Sequence, residues 1–150
     1  MKIGFVSMPL AGHLNPMTAL ARRLQSRGNE VVFFGVPDDE PFVRAAGLDF
    51  VAFCENEYPA GSIAKVYGPV SKLHGIEVAR WTTREITPGL FSTASKHLPQ
   101  KLAETGVEAF VIDTIHQLDV EAIRCFRESF GLHRFTTRPR QPPSPHRDFW

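Results

Sequence analysis

Two residues a hundred positions apart have the types needed for proton chemistry. His13 sits in "MPLAGHLNPMTALARRL" (8–24), where a buried strand stops and an amphipathic helix begins. Asp113 closes "VEAFVID" (107–113). A neutral imidazole is a competent base near pH 7. A carboxylate on its other ring nitrogen fixes the tautomer and stabilises the imidazolium formed on proton abstraction. Such a pair can deprotonate a hydroxyl held above it. No G-x-S-x-G elbow supplies a nucleophile from the chain, so the nucleophile would belong to the substrate. Each residue also has an ordinary role open to it: a histidine in a βα loop can be a polar cap, and an aspartate after a strand can cap a helix.

The elements decide whether the two residues meet. "KIGFVSM" (2–8) is nearly all apolar, the mark of a strand covered on both faces. "PLAGHL" reads as a loop, and Asn15 with Pro16 as the start of a helix. Met17, Leu20, Ala21 and Leu24 then make one apolar face, and Gly28 ends the helix. "EVVFFGV" (30–36) is a second strand, "DDEPFVRAAG" (38–47) a short helix and "LDFVAF" (48–53) a third strand. Residues 54–69 read as a loop able to line a pocket. Residues 70–104 read as mostly helical, with breaks near Pro88-Gly89 and Pro99. A fourth strand (107–113) and a further helix (117–131) follow. This alternation implies an α/β fold, a Rossmann-like doubly wound parallel sheet with right-handed crossovers. In the common order 3-2-1-4, strands 1 and 4 are neighbours about 4.8 Å apart. Their connections leave on opposite faces and open a crevice at the carboxyl ends, which is where His13 and Asp113 would lie.

Composition narrows the classes. The 150 residues carry a formal net charge of +1, so no global field argues for nucleic acid. Residues 1–123 hold eleven Lys/Arg and fourteen Asp/Glu, whereas residues 124–150 hold six Arg and two acids. Residues 1–131 therefore read as one Rossmann-like unit. Residues 132–150 read as an irregular basic Pro/Arg-rich tail, expected from a truncation or a frameshift. Cys54 and Cys125 lack CxxC spacing and fit neither a disulfide framework nor a zinc site. Buried free thiols and a cytoplasmic location are expected. Gly4, Pro9 and His13 interrupt the first apolar run, against a signal peptide, and no apolar stretch approaches the roughly 20 residues of a membrane span. The first βα turn has Gly12 but no G-x-G-x-x-G, and no Walker glycine–lysine pair is present, so neither NAD nor ATP is an expected cofactor.

"PLAGHLNPMTALARRLQSRGNEVVFFG" (9–35) resembles the N-terminal signature of the family 1 glycosyltransferases, and "VEAFVID" extends the likeness more weakly, over residues 1–123 in all. The resemblance implies the N-terminal half of a GT-B fold, two Rossmann-like halves with the active site between them. It implies that His13 is the base toward an acceptor hydroxyl and that Asp113 orients it. The reaction implied is an inverting transfer from a UDP-sugar, a co-substrate rather than a cofactor, to a small apolar acceptor. Gly12 and Asn15 beside the base, and Ile63, Tyr67, Trp81 and Phe91 in the pocket wall, are the expected substrate-binding residues. The chain departs from the signature at Asn29, where the family has histidine. Nothing in residues 114–150 matches the donor-binding half, so the chain alone is expected to be an inactive, truncated form. Two alternatives stand beside this one. A lipid-linked N-acetylglucosaminyl transferase would have a first loop richer in glycine. A non-catalytic half-domain would self-associate through the apolar face where a second domain docks.

Overall fold

The computed structural model describes residues 1–113, apart from the side chains of Thr87, Pro88 and Phe91. The helix expected over 117–131, the tail over 132–150 and Cys125 lie outside the described residues. Four short apolar segments form strands: β1 (Lys2–Val6), β2 (Glu30–Gly35), β3 (Asp49–Ala52) and β4 (Ala109–Ile112). They pair in parallel in the order β3-β2-β1-β4, the order expected from the sequence.

Alternation along the strands divides the core between two faces. Ile3 and Phe5 of β1 and Val31 and Phe33 of β2 pack on one side with Leu14, Ala21, Val43 and Leu48. The rings of Phe5 and Phe33 stack at 6.2 Å. Val6, Val32 and Phe34 pack on the other side with Ala94, Leu98 and Leu102. The first face is covered by α1 (Ala11–Gln25) and α2 (Glu40–Ala45), the second by α5 (Thr87–Thr105). Gly4 occupies a crowded point on the second face. A Cβ there would lie 2.9 Å from the Phe110 ring and 3.1 Å from that of Phe34.

Helix α1 begins four residues before the expected Asn15–Pro16 start. The Leu10 carbonyl accepts from the N–H groups of both His13 and Leu14 at 2.9 Å, so the first turn closes across the glycine. Asn15 is exposed and caps nothing; Pro16 lies inside the helix, where it withholds the usual donor from the Gly12 carbonyl. The buried stripe is Leu14, Thr18 and Ala21, flanked by Met17 and Leu24. Leu20, expected on that face, is 43% exposed. Thr18 takes a buried place because its hydroxyl donates to the Leu14 carbonyl at 2.8 Å. The helix gives out into a turn that ends at Gly28, in the left-handed region at φ +84°.

The segment expected as a loop contains α3 (Ser62–Tyr67) and a 3₁₀ turn (Gly68–Lys72). Its start is held from outside. The Asp38 carboxylate accepts the backbone N–H of Gly61, and that of Ile63 at 2.8 Å, from 25 residues upstream. The expected breaks after residue 70 also shift. Between α4 (Ile76–Trp81) and α5 the chain makes a π turn over Thr82–Ile86, and Pro88 falls in the first turn of α5. Pro99 sits inside α5, which continues unbroken to Thr105. A mid-helix proline costs about 3 kcal/mol. Leu90, Leu98 and Leu102, all buried on the inner side of α5, each contribute about 1.5–3 kcal/mol, so packing outweighs the lost bond.

Gly4→Val should destabilise the protein by about 1–3 kcal/mol, because the added side chain must displace two packed phenylalanine rings. Urea unfolding should show a lower midpoint with an unchanged slope.

Candidate functional site

The parallel register of β1 and β4 places the site. Ile3 is opposite Ala109 and Val6 is opposite Ile112. One step further, the Asp113 N–H donates to the Val6 carbonyl at 3.2 Å, so the ladder itself fixes the aspartate at the carboxyl end of the sheet. His13 lies in the first turn of α1, which leaves the end of β1. Its Nδ1 lies 2.5 Å from Oδ2 of Asp113. The Ser7 hydroxyl approaches the same oxygen at 3.4 Å. The imidazole is 21% exposed and the carboxylate 14% exposed, so the pair is shielded but reachable. With Nδ1–H donated to Asp113, the lone pair of the neutral ring resides on Nε2. Ser7 was not anticipated from sequence. The register that aligns Val6 with Ile112 also aligns Ser7 with Asp113, so the signal lay in strand pairing rather than in a motif.

A cleft of about 450 Å³ opens beside this segment, within the range of small-molecule sites. Pro9, Leu10, Ala11 and Leu14, which bracket His13 in the chain, form one wall; His13 itself is not among the lining residues. Ile63 and Tyr67, two of the expected pocket-wall residues, also line the cleft. Trp81 does not join them. It lines a separate surface groove with Leu73, Arg80 and Arg84, on α4 and the turns beside it. The Phe91 side chain lies outside the described residues. Gly12 is exposed in the first turn of α1, with open space where a Cβ would stand. Asn15 is exposed one turn further on.

Asp39 is the residue that sequence reasoning missed. It is 2% exposed and lines both the cleft and a small cavity of about 30 Å³ between the sheet and α5. Its Oδ2 accepts the Val36 N–H at 3.2 Å, while its own N–H donates to the Val36 carbonyl at 2.9 Å. Gly35 makes room for it: a Cβ there would lie 2.6 Å from Oδ2. Burial pushes the Asp39 carboxyl up to about 7, partly offset by the Val36 hydrogen bond and reinforced by the charge of Asp38. Tyr67 is pushed up to about 12 by burial first, with Tyr58 and Asp39 adding to it. The acids at the head of "DDEPFVRAAG" read naturally as a helix start. Their place just after β2, at the ligand-binding end of the sheet, was the signal that could have marked one of them.

Cys54 is buried and free, and burial together with Glu57 and Glu55 pushes its thiol up to about 12. Among the described residues, no group of three metal-ligating side chains comes together, and no helix is long and apolar enough to cross a membrane.

No protein-family model matches the sequence, and no curated protein matches it. Solved structures do match. One is the spinosyn rhamnosyltransferase SpnG, which superposes with a TM-score of 0.52 at 22% identity. The chain has a glycosyltransferase-like fold. The match covers 79% of this chain and 30% of the neighbour, in keeping with a single Rossmann-like half of the GT-B architecture.

Asp39 gives the folded state a pH signature. Its carboxyl holds a proton in the folded protein between pH 3.8 and about 7, whereas the unfolded chain has released it. The folded state binds more protons there, so this group's contribution falls as pH rises through that window and levels off above it. The stability of the native protein relative to Asp39→Asn, measured by urea unfolding, should therefore decline from pH 4 to pH 7 and then flatten.

Proposed function

We propose that the site transfers a sugar from a UDP-sugar to a hydroxyl of a small, largely apolar acceptor, with inversion at the anomeric carbon. The observation that carries this reading is the 2.5 Å contact between His13 Nδ1 and Asp113 Oδ2 at the carboxyl ends of β1 and β4. The glycosyltransferase-like fold supports it.

His13 Nε2 takes the proton of the acceptor hydroxyl as the acceptor oxygen attacks the anomeric carbon. The bond from that carbon to the diphosphate oxygen breaks, and UDP leaves with the electron pair. Asp113 stabilises the imidazolium formed and prevents the ring from turning its N–H toward the acceptor. The cleft bounded by Pro9, Leu14, Ile63 and Tyr67 holds the acceptor. The donor is held by a second Rossmann-like half, which the GT-B architecture places across the active-site cleft. The match spans 30% of the rhamnosyltransferase, which supports reading residues 1–113 as one side of such a site, taken here as the acceptor side.

Joined to the donor-binding half of a GT-B glycosyltransferase, the chain should transfer sugar to apolar alcohols. His13→Ala should lower kcat by at least about 10³-fold, and Asp113→Asn by about 10²–10⁴-fold with little change in KM. Near-normal turnover of the His13→Ala protein would refute the reading. In the chain alone, ¹⁵N NMR should find His13 as the Nδ1–H tautomer at pH 8, and Asp113→Asn should abolish that preference.

A further inference from the structure

The cleft is apolar over most of its wall, and among the described residues three polar side chains line it: Asp38, Asp39 and Tyr67. Their situations differ. Asp38 is satisfied by the backbone N–H groups of Gly61 and Ile63. Asp39 accepts the Val36 N–H through Oδ2, and among the described residues no cationic side chain lines either the cleft or the small cavity on its other side. The Tyr67 hydroxyl oxygen is buried and has no hydrogen-bond partner among the described residues. A buried carboxyl without a counter-charge and a buried hydroxyl without a partner both carry a desolvation cost. A donor that is also a cation would answer both.

We propose that the cleft takes an apolar molecule bearing one protonated amine, with the ammonium seated between the Asp39 carboxylate and the Tyr67 hydroxyl oxygen. This rests on reading the cleft as the acceptor half-site and names the class of acceptor: an amphiphile with a basic nitrogen at the end remote from the hydroxyl to be glycosylated. An ammonium donates to Asp39 and to Tyr67 at once, and it neutralises the acid in a setting where the interaction is weakly screened. The aliphatic or aromatic body lies along Pro9, Leu10, Leu14 and Ile63.

Binding then carries a proton signature. Below about pH 7 Asp39 must give up its proton to receive the ammonium, so affinity should fall about tenfold for each pH unit. Of the tyrosines near Asp39, Tyr67 is pushed up to about 12 and Tyr58 is raised as well, so neither imitates this; Asp38 accepts two backbone N–H groups.

The test is calorimetric titration of the 150-residue chain with 4-phenylbutylamine and with 4-phenylbutan-1-ol. At pH 8 the amine should bind at least tenfold more tightly. At pH 5.5 that preference should vanish, and titration in buffers of different ionisation enthalpy should show about one proton released on binding. Asp39→Asn, whose amide oxygen can still accept from Val36, should remove the preference and the proton release; Tyr67→Phe, which keeps the packing, should weaken the amine more than the alcohol. Equal affinity for the two compounds at pH 8, no binding of either, or a preference that survives in Asp39→Asn would overturn the proposal. Binding as described without sugar transfer in the joined protein would leave the amine subsite standing and defeat the transferase reading alone.

Discussion

The site rests on the pairing of β1 with β4, strands separated by more than a hundred residues in the chain. Parallel hydrogen bonds at each step from Ile3–Ala109 to Val6–Ile112 leave no freedom in where the next residues fall. Asp113 is the next residue on one strand and Ser7 on the other, and the Asp113 N–H continues the ladder to Val6. A carboxylate set on a sheet is positioned far more narrowly than one on a loop, because a one-residue slip would turn Phe5, Phe33 and their neighbours to the wrong face. His13 meets it from the first turn of α1, whose approach is fixed by the burial of Leu14, Thr18 and Ala21 against the same sheet. The hydrophobic core and the 2.5 Å contact are thus consequences of one register.

The second feature with chemical weight comes from burial rather than from strand pairing. Asp39 joins the turn after β2 to the cleft, trading hydrogen bonds with Val36 in both directions. Gly35 leaves the space it needs. The carboxyl is removed from water with a neighbouring acid, Asp38, beside it, which is why it holds its proton to about 7. Asp38, one residue earlier, has the opposite fate, because two backbone N–H groups at the start of α3 satisfy its charge. Adjacent acids with one chemical formula therefore divide, one satisfied by the backbone and the other buried beside the cleft.

What the sequence disclosed follows the range of the forces involved. The four strands and their order were legible, since continuous apolar runs separated by helical periods leave few other arrangements. The meeting of His13 with Asp113 followed from that order. The start of α1 was misjudged because Asn15–Pro16 is a strong local signal, and the Leu10 carbonyl, paired with two N–H groups upstream of it, is not visible in a motif. Helix α3 was hidden because its capping group, Asp38, lies in another element. Pro99 signals a break in the sequence because its cost is local, whereas the burial of Leu98 and Leu102 that offsets it is tertiary. Asp39 was invisible as a functional candidate for the same reason: neither its burial nor the openings on its two sides is a property of neighbouring residues.

The excursion from Phe53 to Glu108 has a consequence for how such a protein can diversify. It leaves the sheet after β3 and returns to it at β4, and it supplies Ile63 and Tyr67 to the cleft along the way. It meets the ladder that aligns Val6 with Ile112 at its last residue, Glu108, whose N–H donates to the Lys2 carbonyl at 2.8 Å. Insertions, deletions or wholesale replacement between residues 54 and 86 would remodel what the cleft admits while His13 and Asp113 stay in place. Descendants of this architecture can change the shape of the cleft while the His13–Asp113 contact persists, so one can vary without rebuilding the other.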